Sequence, residues 1–280
     1  MISKLILWYL RHVPVEKKKY LIEKYLSRFL PAKEIKENYI NPHGITFWID
    51  NRDFVMNKIY LRGVYERNTI RHVVKLIKGK SGHMIDCGAN IGLYSMYLSK
   101  YAPAATIHSF EPIPRTLEIF KKNISLNHAK NIVVNPIGLS NRVGELDLFV
   151  VEEENYGRTS ENNVNDSQNK ITIPIDTLDN YCSRNNIHEL SFIKVDIEGG
   201  ELNFFKGGEK IIRQSPDIIM VVEINECAYS SGYSPQDLFD YICNFGFVPF
   251  RERDYPFAMR QMESLGTYRG NVIFLKQKKS

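Results

Sequence analysis

From residue 80 onward the chain alternates short apolar runs with patterns of helical period. The apolar runs fall at 84–87, 106–110, 132–134, 190–195, 217–224 and 247–250, and the helical patterns near 92–101, 114–127, 175–185, 200–213 and 234–244. A strand that is apolar at nearly every position is buried on both faces, and strands that alternate with helices are joined by crossovers. The pattern therefore predicts an α/β fold built on a mostly parallel sheet with helices on both faces. Residues 112–127 show the quality of the signal. Leu117, Phe120 and Ile124 recur at helical spacing, Glu118, Lys121 and Lys122 face outward, and proline stands at the start.

Upstream, residues 44–62 read as a short strand or hairpin and 65–78 as a helix. Residues 1–30 read as two short amphipathic helices punctuated by Pro14 and Pro31, with Ile22, Leu26 and Phe29 on one stripe. The stripe is expected to pack on the main domain, with a membrane-surface or partner-binding role as the rival. This divides the chain into a helical arm over 1–43 and a domain over 44–280. The run at 5–10 is too short to span a bilayer and no small-residue cleavage site follows it, so neither a membrane span nor a signal peptide is expected. Residues 152–170 are polar and Asn-rich and read as a long loop.

Charge sharpens this division. Of the 37 Lys and Arg, nine lie in residues 1–38 against four Glu, and the remainder of the chain carries 28 of each sign. A neutral body argues against a nucleic-acid groove and leaves a basic arm suited to peripheral contact with a membrane face. Cys87, Cys182, Cys227 and Cys243 show neither zinc spacing nor a disulfide pattern, which fits a reducing, cytoplasmic setting.

The chemistry gathers at "MIDCGANIGLYS" (84–95). A strand ends at Cys87, a turn carries Gly88, Asn90 and Gly92, and a helix follows. The glycines let main chain approach a ligand and the helix start offers free N–H groups. The spacing is D-x-G-x-N-x-G, not the G-x-G-x-x-G that admits a pyrophosphate, and no P-loop lysine follows. Asp86 before the turn suits a cationic group. Glu111, at the end of the next strand, is placed to accept the two hydroxyls of a ribose. A nucleoside with a cationic amino-acid tail in place of phosphates is S-adenosylmethionine.

These segments, with "GVYERNTI" (63–70), "FEPIP" (110–114), "NPIGLSN" (135–141), "IDTLDNY" (175–181) and "FIKVDIEGGELNFFKG" (192–207), resemble the FkbM-type S-adenosylmethionine-dependent methyltransferases over roughly residues 60–250. Cys87 departs from the apolar or small residue usual there. The resemblance implies a Rossmann-like class I methyltransferase with a seven-stranded sheet whose last strand is antiparallel. It also implies O-methylation of a sugar or other secondary-metabolite hydroxyl. Carried onto this chain, it places Asp86, Gly88, Asn90 and Gly92 at the methionine part of the cofactor and Glu111 at the ribose. Gly138 and Leu139 fall by the adenine, and Glu66 closes over the amino-acid end.

An alcohol is not ionised at neutral pH, so methyl transfer to one calls for a carboxylate base at a strand end. Asp196 is the first candidate, Glu223 the second and Glu198 the third. Clustered acids can also hold Mg²⁺, but no spacing fixes a coordination geometry, and no metal is assigned. Lys194, in a central strand, requires a carboxylate partner. The rival classes are a base methyltransferase, for which "DIEGG" stands where an Asn/Asp-Pro-Pro-aromatic stretch belongs, and a non-catalytic cofactor binder, which would lack the strand-end acids.

Overall fold

The computed structural model describes residues 2–13, 16–31, 34–150, 159–160, 170–252 and 258–277. Helices α1 (Ile2–His12) and α2 (Glu16–Tyr25) lead to a hairpin of β1 (Ile35–Ile40) and β2 (Thr46–Asp50). Then come α3 (Phe54–Arg62) and α4 (Arg67–Ile77). The core unit follows as β3 (Gly82–Cys87), α5 (Leu93–Tyr101), β4 (Ala105–Phe110), α6 (Pro114–Leu126) and β5 (Ile132–Asn135). Next are β6 (Gly138–Leu139), β7 (Gly144–Val150), β8 (Thr159–Ser160), β9 (Lys170–Asp176), α7 (Leu178–Arg184) and β10 (Leu190–Val195). Helices α8 (Glu201–Gly207) and α9 (Glu209–Gln214) precede β11 (Ile219–Ile224). The chain closes with α10 (Cys227–Ser230), α11 (Pro235–Cys243), β12 (Phe247–Glu252), β13 (Met259–Gln261) and β14 (Gly270–Lys276).

The main sheet has the order β13-β12-β14-β11-β10-β3-β4-β5. Strands β11, β10, β3, β4 and β5 run parallel, and β14 enters antiparallel between β11 and β12. The expected parallel core and antiparallel last strand are both present. The expected count of seven becomes eight, because the three residues of β13 extend the edge at β12. The order turns at β3, with β4 on one side and β10 on the other, so the strand ends there open into a crevice where ligands bind in such sheets.

Alternating side chains of each strand enter two apolar layers. On β10, Phe192 packs with Met84, Ile107 and Val221 on one face, whereas Ile193 and Val195 pack with Ile85, Met220 and Val222 on the other. Burial of both faces is what made these strands read as continuous apolar runs.

Four features differ from expectation. Residues 54–62 form a helix, not a strand: the Asp53 carboxylate accepts from the Met56 amide at 2.9 Å and caps it, and Met56 and Ile59 are buried at helical spacing. The helical signal near 200–213 resolves into α8 and α9, split at Gly208. That near 175–185 begins only at Leu178, after Thr177 caps α7. Strands β6, β9, β7 and β8 form a second four-stranded sheet in that order, which no periodicity had suggested. Of the polar loop expected over 152–170, residues 152–158 and 161–169 lie outside the described residues. In the arm, Ile22, Leu26 and Phe29 pack with Ile6, Leu10 and Leu61 of α1 and α3.

Candidate active site

The turn after β3 is built by two close approaches. Gly88 has φ +78°, and a Cβ there would lie 1.9 Å from the Asp196 carbonyl oxygen, so only glycine lets the ends of β3 and β10 meet. The Gly88 and Ala89 amides donate to the Phe110 carbonyl at 3.1 and 3.0 Å, and the Asp196 amide donates to the Cys87 carbonyl at 3.0 Å. Three strand ends are thereby stitched into one floor. Gly92, at φ +84°, answers a different need: a Cβ there would stand 2.2 Å from Cδ2 of Phe120. Its missing side chain makes room for α6.

Glu111 follows β4 and is 4% exposed. One oxygen accepts from the Asn90 amide at 2.8 Å and the other from the Ile113 amide at 2.9 Å. Burial nevertheless pushes its carboxyl up to about 7. A buried carboxylate held, among the described residues, by two donors has lone pairs to spare for two hydroxyls.

Across the β3 turn lies a cluster of carboxylates around one lysine. Lys194 is 1% exposed; its Nζ lies 3.2 Å from Asp196 Oδ2, 3.0 Å from Asn271 Oδ1 and 5.0 Å from the centre of the Tyr94 ring. Glu66, which precedes α4 at φ +50°, accepts from the Tyr94 hydroxyl at 2.5 Å. Single carboxylate oxygens of Glu66, Asp196 and Glu223 lie within 4.8 Å of one another. Three carboxylates this close cannot all be ionised beside one ammonium. The negative charge of Asp196, together with burial, pushes Glu223 up to about 10, so Glu223 keeps its proton at neutral pH and hydrogen-bonds to Asp196. Burial opposes ionisation of Asp196, but Lys194 and that hydrogen bond outweigh it and hold Asp196 below the usual carboxylate range. Burial also raises Glu66. The cluster thus holds Asp196 ionised, with its side chain 28% exposed. The three acids lie close enough to share a cation, and the Lys194 ammonium already supplies positive charge among them.

A cavity of about 660 Å³ joins these parts. Its lining brings together Gly88, Asn90, Glu111, Gly138 and Leu139 of the expected cofactor set with Asp196, Glu198 and Glu223 of the expected catalytic set. Asp86, Gly92 and Glu66 are placed elsewhere. Asp86 is 1% exposed and takes the Ser95 hydroxyl at 2.5 Å, which ties the end of β3 to α5, and burial pushes its carboxyl up to about 6. Gly92 serves the packing of Phe120, and Glu66 sits in the lysine cluster. Glu198, at φ +54°, accepts from the Cys227 thiol at 3.3 Å.

Other lining residues were not singled out as site residues by the sequence. Ile173, Ile175, Leu146 and Leu148 come from the second sheet, Phe54 and Val55 from the first turn of α3, and Tyr65 from the turn before α4. Glu201 shapes the site from outside it: its carboxylate accepts from the Ile197 and Gly199 amides at 3.1–3.2 Å and from Tyr233 at 3.0 Å, which fixes the loop after Asp196. An acid five residues past Asp196 was its only trace in the sequence.

A family model for the methyltransferase FkbM domain matches residues 86–249, which begins at Asp86 and takes in both strand-end acids. The chain belongs to this FkbM methyltransferase family. Methyltransferase 1 of Beauveria bassiana (strain ARSEF 2860) is 22% identical over 142 residues, 44% of this chain; the match spans only 57% of that relative's own length. The 2-O-methyltransferase NoeI of Sinorhizobium fredii (strain NBRC 101917 / NGR234) is 21% identical over 195 residues, covering 65% of this chain and 73% of NoeI. Among solved structures, a SAM-dependent O-methyltransferase from Thermotoga maritima overlaps with a TM-score of 0.43 at 10% identity, covering 91% of this chain and 82% of the other.

Proposed function

We propose that this FkbM methyltransferase moves a methyl group from S-adenosylmethionine to a hydroxyl of a sugar, glycan or related secondary metabolite. The observation that carries the reading is Asp196: an ionised carboxylate, braced by a buried lysine, open to the same cavity that holds Glu111. NoeI, by name a 2-O-methyltransferase, is one relative whose chemistry agrees.

The cavity fits the cofactor. Glu111 offers acceptors for a ribose, apolar Ile113, Ile137, Leu139 and Ile175 can cover a ring, and no lysine or arginine is among the described residues that line it, as phosphates would need. When bound, S-adenosylmethionine supplies an electrophilic methyl group on a sulfonium. The chain's own residues do the rest. Glu111 and the Gly88–Asn90 turn hold and orient the donor, which turns a bimolecular encounter into a positioned displacement. Asp196, open to the cavity, would take the proton of an acceptor hydroxyl as that oxygen is methylated. General-base help of this kind is typically worth about 10²–10⁴-fold. Lys194 keeps Asp196 ionised until that moment, and the proton on Glu223 strengthens the same state. Carboxylates and Asn225 at this end of the cavity suit a polyhydroxylated neutral acceptor and repel an anionic one.

The test is formation of S-adenosylhomocysteine from S-adenosylmethionine with a panel of neutral, amino and acidic saccharides. Turnover with a neutral or amino sugar supports the reading. Turnover confined to thiols, amines or nucleic acid would overturn it.

A further inference from the structure

Six of the twelve large hydrophobic side chains left exposed among the described residues fall within residues 2–25. They are Ile2, Leu5 and Trp8 on α1 and Tyr20, Leu21 and Tyr25 on α2. Such a density in a tenth of the chain is not the scattered exposure of an ordinary surface. Each helix already spends its other face on the body: Ile6 and Leu10 of α1 and Ile22 of α2 pack around Leu61 of α3. The outward residues are therefore a second apolar stripe, not a failed core.

Charge is sorted in part the same way, although Lys19 and Arg11 also turn inward. Glu23 turns inward, bonded to Lys58 and to Arg62, whose Nε lies 2.6 Å from Oε1. Lys4, Lys24 and Arg28 turn outward and are exposed. Lys24 lies 5.6 Å from the centre of the exposed Tyr25 ring, so cation and aromatic are presented together there. The matching surface must take up Trp, Leu and Ile, accommodate Tyr at its boundary and carry negative charge.

We propose that this arm binds the surface of an anionic lipid bilayer, with α1 and α2 lying in the interfacial plane. At 11 and 10 residues the helices are too short to span, and Trp and Tyr favour the headgroup level. Basic side chains near an anionic leaflet add attraction that fades with ionic strength. The consequence reaches the site, because α1 packs on α3 and the first turn of α3 lines the cavity through Phe54 and Val55. A bound arm holds the cleft beside the bilayer, where an acceptor carried on a lipid would reach it.

Binding can be read without any methyl transfer. The full chain is sedimented with vesicles of phosphatidylcholine alone and of phosphatidylcholine with phosphatidylglycerol, and Trp8 emission is followed in a Trp48→Phe background. The chain should pellet with the anionic vesicles at low salt, much less so without phosphatidylglycerol or at high salt, and Trp8 emission should shift to the blue. The pair Leu5→Ser and Trp8→Ser, and separately the pair Lys24→Glu and Arg28→Glu, should each weaken binding at least about tenfold. Binding that ignores lipid charge, or survives both pairs of substitutions, overturns the proposal. So does loss of Trp8 exposure by self-association without lipid, which would assign the stripe to a second copy of the chain.

Discussion

Lys194 and Asp196 form an ion pair at the mouth of β10, with Nζ 3.2 Å from Oδ2 and side-chain exposures of 1% and 28%. The lysine is sealed and the carboxylate is not. Removing water from one partner only leaves a fixed positive charge behind a carboxylate that can still reach a ligand.

Asp196→Asn keeps the shape of the side chain and removes its basicity. The turnover number should fall by about 10²–10⁴-fold, while S-adenosylhomocysteine affinity by calorimetry stays within a few-fold of the parent. A parallel loss of affinity would make Asp196 a binding group instead.

Lys194→Met removes the charge that keeps Asp196 ionised. Asp196 then titrates higher, so the acid limb of the kcat/KM profile should move to higher pH, and stability to urea should fall by about 3–5 kcal/mol because a partly buried carboxylate loses its partner. Asp196→Asn added to Lys194→Met should recover part of that stability.

Glu111 supplies a pH signature. Burial raises its carboxyl from 4.5 to about 7, so the folded chain binds this proton more tightly than the unfolded chain. The stabilising contribution is complete below about pH 4.5 and is lost as pH rises through about 7. Buried His108, lowered to about 4 by desolvation, pulls the total the opposite way, so the informative quantity is a difference. The stability of Glu111→Gln relative to the parent should rise as pH increases across that window. A difference independent of pH would contradict the assignment of the proton.

Gly92→Ala separates packing from chemistry. Its Cβ would meet Phe120 at 2.2 Å at a φ of +84°, so the substitution should cost about 2–4 kcal/mol of stability by urea unfolding. Phe120→Leu should restore part of the loss, since it empties the space the new methyl needs, though not the backbone strain.

What the sequence disclosed, and what it withheld, follows from the range of each interaction. The strands at 84–87, 106–110 and 190–195 were legible because two buried faces make every position apolar. Lys194 was legible as a group in need of a carboxylate, since no lysine is buried alone cheaply. The role of Gly92 was not, because its reason is Phe120, 28 residues away on another helix. Asp86 looked like a ligand group since it precedes the turn, yet Ser95, nine positions on, takes its oxygen. The helix at 54–62 hid behind a β-rich composition, and only Asp53, with its carboxylate three residues before Met56, marked the start. The second sheet left no run at all: β9 alternates, with Ile173 and Ile175 turned in and Pro174 turned out, and its partner β7 is distant in sequence.

The most direct test is a crystal structure of the chain with S-adenosylhomocysteine bound. The ribose hydroxyls should lie within hydrogen-bond reach of the Glu111 carboxylate, with the sulfur directed toward the wall that carries Asp196 and Glu223. A nucleoside seated away from Glu111, or a sulfur pointing away from Asp196, would contradict the account.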